Sequence, residues 1–570
     1  MFIKVTKSGP RRYAQLVESF RNDAGQPRQR TVCTLGRLEA GGEVDTLINA
    51  LQRARGLEVG AASNPLEGLR FIDSRCAGDV WALSQLWRSL GFDDLATAWR
   101  RSRVELDVLA CLRTMVFNRL CDPGSKLGVL RWLETVALPV KFGFADGAPQ
   151  HQHLLRAVDV LDEHSAALGS RLATLMRPLI DEDLSVVFYD LTTVEVCGAT
   201  EMTDDVRAFG LSKSGLVARQ FMLSLVQTAE GLPIAHEVHP GNTAEAKTLL
   251  PMIKSLLVRY PLKRVVLVAD RGLLSVSNLE ELAKLQATLA SQGRPVSLEY
   301  ILAVPAARYG DFAQALREHA ADQPMDKPWV GETTWQGRRL VIAHDPQVGA
   351  RRSAARNKSI KEVIALGQQW GGKLDAQDAG VRRRGRPLSD SGVKARFYHA
   401  VKDANLGHLI KVDLKAEAFS FTIDENKQRY LELLDGKLLL VTNTDAPAAD
   451  VVARYKSLAD IERGFRVLKS DIEIGPVYHR LPQRIRAHAL VCFMALILYR
   501  VMRMRLKANE RDESPTRLLE QLRRIQQQTV RTAAGQTLHG LTDMTPQQKS
   551  LFAALQLPTP TPSDLVNPSL

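Results

Sequence analysis

No CxxC pair occurs anywhere in these 570 residues; the six cysteines, at 33, 76, 111, 121, 197 and 492, are scattered singly. That scatter excludes a zinc ribbon and a disulfide framework, and it fits a reducing compartment. The opening MFIKVTKSGPRRYAQLVESF contains no apolar run of signal-peptide length. The longest apolar run, Ala489 to Tyr499, is too short to cross a bilayer and suits a buried helix. The expectation is a soluble, cytoplasmic protein with no membrane partner. The sequence also lacks an internal repeat, a P-loop, an HExxH helix, a nucleophile elbow and a dinucleotide fingerprint. ATPase, metalloprotease, α/β-hydrolase and dehydrogenase functions therefore have no motif to rest on.

What is present in excess is positive charge. Lys and Arg total 76 against 63 Asp and Glu, a formal net charge of +13. Such an excess favours a polyanionic partner, because each phosphate neutralised by a cation releases a counterion; a generically basic soluble protein has the same balance. Hydrophobic residues make up 45% and charged residues 24%, enough to bury a core. The length suggests two to four domains.

The texture changes along the chain. Residues 1–60 mix FIKV and YAQLVESF with basic turns and predict a small β-rich segment. Residues 61–183 turn helical: VWALSQLWRSLGF, ELDVLACLRTMVFNRL and HLLRAVDVLDEHSAAL carry apolar residues at three- and four-residue spacing. This region suits DNA binding or helical packing equally. In 184–305, LSVVFYDLT, RQFMLSLVQ and LPIAHEV predict three strands. PGNT follows, with Thr243 placed to cap a helix. RVVLVAD predicts a strand ending at Asp270, then come a helix over about 275–292 and a fifth strand, LEYILAV. Three antiparallel-looking strands followed by alternating helix and strand give the order of a ribonuclease-H-like α/β fold.

Residues 306–436 interrupt that order with the strand candidates RRLVIAH, ARFYHAV and FSFTID, a helix near 358–370, and the basic run VRRRGRP at 381–387. That run suits an A·T-rich minor groove or a solvated loop. Residues 437–505 resume with the strand KLLLVTN and helices from about 446 to 504. The end, 506–570, is polar with repeated Pro and Thr, and predicts a loose tail.

Two-metal phosphodiester chemistry requires hard oxygen ligands that converge on ions about 3.5–4 Å apart. Asp190 ends the apolar run Val186–Tyr189 and Asp270 ends Val265–Ala269, although any α/β protein carries an Asp at some strand end. Tyr455, Glu462 and Lys469 are spaced by seven, which on one helix places them along a single face. Metal held by Glu462 with phosphate at Lys469 is one reading of that face; an ordinary solvated face, with Arg454, Arg463 and Arg466 around it, is the other. Thr192 and Thr193 read as strand packing, and His239 and His479 as structural hydrogen-bonding groups. Glu473 is a competing acid without Tyr and Lys at matching spacing.

Taken together, FYDLTTVEV (188–196), HEVHPGN (236–242), VVLVADRGLLS (265–275) and YKSLADIERGFRVLKS (455–470) resemble the DDE transposases of insertion sequences. The likeness is to the subgroup with a β-rich insertion before the final Glu. NRLCDPGSKL (118–127), GPVYH (475–479) and RIRAHALVCFMAL (484–496) extend it over about 118–500. The resemblance implies Asp190, Asp270 and Glu462 as the three catalytic, metal-holding acids, with Mg²⁺ or Mn²⁺, two ions, as cofactor. It implies DNA contacts by Tyr455, Lys469, Arg271 and Arg466, and it makes 306–436 the inserted β domain. The implied partners are double-stranded DNA, as terminal inverted repeats and as target, and a second copy of the chain on that DNA. Leu458 departs from the family signature, which has Arg there, leaving Arg454 or Lys456 to supply that contact or the contact absent. A nuclease that cuts without rejoining and a non-catalytic DNA-binding derivative are the alternatives.

Overall fold

The structure, a computed structural model, describes the chain apart from residues 39–41, 56–68, 103, 141, 143–146, 148, 181–185, 199–201, 203–204, 212–216, 245–246, 261, 270–275, 321–322, 382–386, 533 and 567–570. At 186, 211, 276–278, 320, 459–462 and 565–566 it describes the backbone alone. The chain divides into two compact units, Met1–Asp73 with Thr529–Leu538, and Ser74–Gln528 with His539–Leu570.

In the first unit β1 (Phe2–Ser8), β2 (Arg11–Arg21) and β3 (Pro27–Arg37) form an antiparallel meander. The hairpins turn at Gly9 and Gly25, whose φ of 58° and 75° cost little without a Cβ. The helix Glu43–Ala54 lies against β3. Strand β4 (Arg70–Cys76) follows.

The second unit begins with helices. Val108–Cys121 and His151–Glu163 pack on the long helix Pro482–Ala508. That helix is long and apolar enough to cross a membrane by length and composition, yet its most apolar stretch is 94% buried inside the protein. It is the central rod of the largest core cluster, as the run Ala489–Tyr499 leads one to expect.

The sheet is built from β5 (Val186–Glu195), β6 (Ala208–Leu211), β7 (Val217–Thr228), β8 (Pro233–Pro240), β9 (Arg264–Ala269) and β10 (Ser297–Ala303). Its central order is β8-β7-β5-β9-β10, with β5, β8, β9 and β10 running in one direction and β7 antiparallel to them. This is the ribonuclease-H-like core that the strand order predicts. β9 reads as an unbroken apolar run because the parallel centre is covered on both faces. The helix before β9 begins only at Leu249, and Thr243 does not cap it; its N–H closes the turn onto Pro240 O instead.

The interrupting segment contains β11 (Trp329–Trp335), β12 (Arg338–His344), β13 (Ile410–Val412) and β14 (Phe421–Ile423), and β15 (Lys437–Thr442) follows it. β15, β12 and β11 continue the main sheet beyond β10. The expected strand balance of 306–436 is corrected here: helices Pro346–Asp378, of 33 residues, and Asp390–Asp403 dominate it. ARFYHAV is helical because Ser389 Oγ caps Gly392 N and because Val393, Phe397 and Val401 form one buried stripe. The basic run at 382–386 lies outside the described residues.

The end of the chain is not a loose tail. β16 (Gln526–Arg531) and β17 (Thr537–Leu541) lead to the helix Pro546–Ala554, started by a Thr545–Gln548 capping box. Leu551 and Phe552 from that helix enter the main core, and Trp81 Nε1 donates to Pro558 O at 2.8 Å.

Candidate active site

β5 alternates its side chains between two faces. Tyr189 and Leu191 enter the cluster with Met252 and Leu256 of the helix Leu249–Arg259. Tyr189 is fully buried, and its hydroxyl donates to Thr248 Oγ1 at 2.6 Å; burial holds that phenol above its ordinary pKa. Phe188, Asp190, Thr192 and Val194 face the other way. Phe188 shares a buried cluster with Val451, Val452 and Leu458, while Val194 shares another with Phe465 and Leu468. Asp190, half-buried, lies between these two anchors on the same face. Its Oδ1 accepts from Leu191 N at 2.7 Å. Thr192 is buried, in keeping with strand packing.

The helix Ala459–Ser470 packs on that face of β5. Leu458 anchors one end and Phe465 the next turn. Glu462 belongs to this helix, which packs against the strand that carries Asp190; its side chain is outside the described residues. On the other side of β5, register pairs Tyr189 with Ala269, the last residue of β9. Asp270 is the next residue in sequence, and it and Arg271 are outside the described residues. Among the described residues no three His, Cys, Asp or Glu side chains form a metal-holding group.

Two sequence expectations change. Tyr455 and Glu462 do not share one helix: Ala448–Lys456 ends in a turn at Ser457 and Leu458 before Ala459–Ser470 begins. Ser457 Oγ donates to Arg454 O, and Leu458 N bonds three residues back to Tyr455 O, which tightens the chain there. The second change concerns Leu458, which is a core residue 7% exposed, so position 458 packs in this chain. Arg454 is half-buried with Nη1 enclosed and unbonded. Tyr455 packs partly against the Phe188 cluster, and Arg466 and Lys469 are exposed on the same helix as Glu462.

Gly464 sets how closely the helix approaches. A Cβ there would lie 2.4 Å from Gln227 Nε2 and 3.3 Å from Arg500 Nη2. Gln227, opposite Phe188 in the register, is 0% exposed and has both amide atoms without hydrogen bonds. In Gly464→Ala either that buried amide or the helix has to shift. A shift of about 1 Å in a reacting group costs on the order of 10²-fold in rate. We expect cleavage to fall by about that factor in Gly464→Ala and to recover in Gly464→Ala/Gln227→Ala, measured as single-turnover nicking of duplex DNA. Loss without recovery would mean that Gly464 acts through something other than this contact.

Sequence reading did not anticipate a cavity of about 700 Å³ beside this site, lined by the loop before Lys126, the segment 473–481 and the start of Pro482–Ala508. Val477 bridges Val196, just past the end of β5; Val477 N donates to Glu195 O at 3.0 Å. Arg119 ties the walls together by donating to the carbonyls of Gly124, Ile472 and Glu473. His239 makes the structural bond expected of it, with Ser224 Oγ at 3.0 Å. His479 lines the cavity 5.9 Å from the His488 ring, with no hydrogen bond from its own ring among the described residues. Burial, and then Lys126, Arg484 and Arg119, push its pKa down to about 4. Glu473 also lines the cavity, placed by the segment that follows the helix of Glu462 rather than by that helix.

Residues 181–498 match the transposase DDE domain family, and residues 3–62 match the N-terminal domain of IS1634 family transposases. No curated protein matches the chain.

Proposed function

Because the chain belongs to the DDE transposases of insertion sequences, a metal-dependent polynucleotidyl transferase family, we propose that it cuts DNA at the terminal inverted repeats of its own element and joins the ends to target DNA. The observation that supports this reading is the packing of the helix that bears position 462 against β5, which bears Asp190, with Asp270 next in sequence after the neighbouring strand. Asp190, Asp270 and Glu462 form an all-oxygen donor set, which fits a hard divalent cation. When bound, two ions of Mg²⁺ or Mn²⁺ supply Lewis acidity at the scissile phosphate.

The chain's own residues hold and orient the DNA. Asp190 is kept in place by its bond from Leu191 N and by packing on either side along β5. Lys469 and Arg466, exposed beyond Glu462, meet phosphates, as do Tyr455 and Arg271. Water attacks the phosphodiester at the element end and expels a 3′-hydroxyl, which then attacks a target phosphodiester. One P–O bond forms for each one broken, so neither ATP nor a covalent protein intermediate is needed. Joining two ends calls for two copies of the chain on the DNA, within the cytoplasm where chromosome and plasmid lie.

The test is cleavage of labelled duplex taken from the DNA flanking the coding sequence, with Mg²⁺ or Mn²⁺ against EDTA. Nicking at the repeat end and joined products, both lost in EDTA while binding persists, are expected. Nicking without joined products would make the chain a nuclease, and binding without cleavage in any metal would make it a non-catalytic derivative.

A further inference from the structure

The cavity beside the candidate site is built for an anion. Lys126 lies on its wall at 7% exposure, with no hydrogen-bond or ion-pair partner for its ammonium among the described residues. A buried cation without a counter-charge is costly, and structures keep one where a ligand supplies the charge. Two helix starts front the same space: Lys126–Leu133, capped by Ser125, and Pro482–Ala508. Their free N–H ends favour negative charge. Arg480, exposed at the mouth, is a second cation without an ion-pair partner among the described residues. Arg484 is already neutralised by Asp159 at 2.7 Å, and Glu473 is the one carboxylate on the wall among the described residues.

We propose that this cavity holds a backbone phosphate of the bound DNA, gripped by Lys126 and Arg480, at a distance from the scissile bond; this rests on the reading of the chain as a DNA-cutting enzyme. The geometry supplies the spacing. Val477 on the cavity wall pairs with Val196, six residues beyond Asp190 along an extended strand, which is on the order of 20 Å. Duplex DNA presents a phosphate on each strand every 3.4 Å of axis, so a duplex laid along β5 from Asp190 would reach the cavity after about six base steps. Phosphate is the anion whose charge matches the site, and DNA is the source that the neighbouring acids bring to it. Burial, and then Arg119, hold the Lys126 pKa down to about 8, so the ammonium is still mostly charged at pH 7 and gains on meeting an anion.

The experiment is fluorescence anisotropy of the labelled flanking duplex with full-length chain in EDTA, from 50 to 200 mM salt. Wild type is compared with Lys126→Gln and Arg480→Gln, and melting is followed with and without inorganic phosphate. Each variant is expected to bind several-fold to tenfold more weakly, with a slope of log K against log salt smaller by about 1, the loss of one phosphate contact. Glu473→Gln, which removes the opposing charge, is expected to bind more tightly. If Lys126→Gln does not melt cooperatively, the exposed Arg480→Gln carries the result alone. Unchanged slopes in both variants overturn the phosphate subsite. Stabilisation of wild type by inorganic phosphate with unchanged DNA slopes makes it a site for the free anion and overturns the DNA assignment. A wild-type chain that binds no duplex overturns the functional reading, and the cavity proposal with it.

Discussion

Asp190→Asn is expected to lower strand cleavage by about 10³-fold or more, roughly 4 kcal/mol of transition-state stabilisation, while DNA binding and the unfolding transition stay as they are. The substitution keeps the shape and keeps the Oδ1 that accepts from Leu191 N. What goes is the negative charge at the one described acid of the proposed set. Glu462→Gln should match it within a few-fold. The double variant should be little worse than either single one, because groups that hold one reacting centre fail together rather than additively. The measurement is single-turnover nicking at saturating protein, with anisotropy as the binding control. Full nicking by Glu462→Gln would remove that residue as third acid and shift the role to Glu473, which lies beyond the helix.

The central strands were legible because the physics that buries them is local. RVVLVA and VVFY are apolar without alternation, as strands covered on both faces must be; the apolar run of β5 ends at Asp190, but the strand continues to Glu195. β6, AFGL, was not legible; four residues paired to one end of β7 carry no pattern of their own. ARFYHAV misled because its aromatic residues favour strands, while the helical stripe Val393–Phe397–Val401 is decided by what packs against it. Asp190 and Glu462 were assigned through the family resemblance, the strand-end pattern and the spacing by seven leaving each open; Asp190 lies within β5 rather than at its end. The break at Ser457–Leu458 that separates position 462 from Tyr455 was not legible, since a single Ser oxygen bonding three residues back leaves no trace in composition. The cavity escaped for a different reason: its walls come from 119–127, 151–155 and 473–488, and no window along the chain contains them together.

Phe552→Ala is expected to cost about 3–5 kcal/mol of stability, a large share of the 5–15 kcal/mol typical of a folded protein. The ring is 1% exposed, on a helix whose neighbours Leu551 and Leu555 are fully buried in the same cluster as Trp81, Leu86 and Leu518. Those partners come from near the start of the second unit and from near its end, so the helix Pro546–Ala554 closes a core that the polar, Pro- and Thr-rich sequence around it conceals. Removing the ring leaves a void among side chains already held by the long central helix, which cannot collapse to fill it. Urea unfolding should show a lower midpoint at unchanged slope, the mark of lost stability rather than a changed unfolded state. A loose tail predicts the opposite result, a change within about 0.5 kcal/mol as at an ordinary surface position. The control Thr559→Ala, outside the helix, should give that small value in either case, so the pair of measurements decides whether the last thirty or so residues belong to the core or merely follow it.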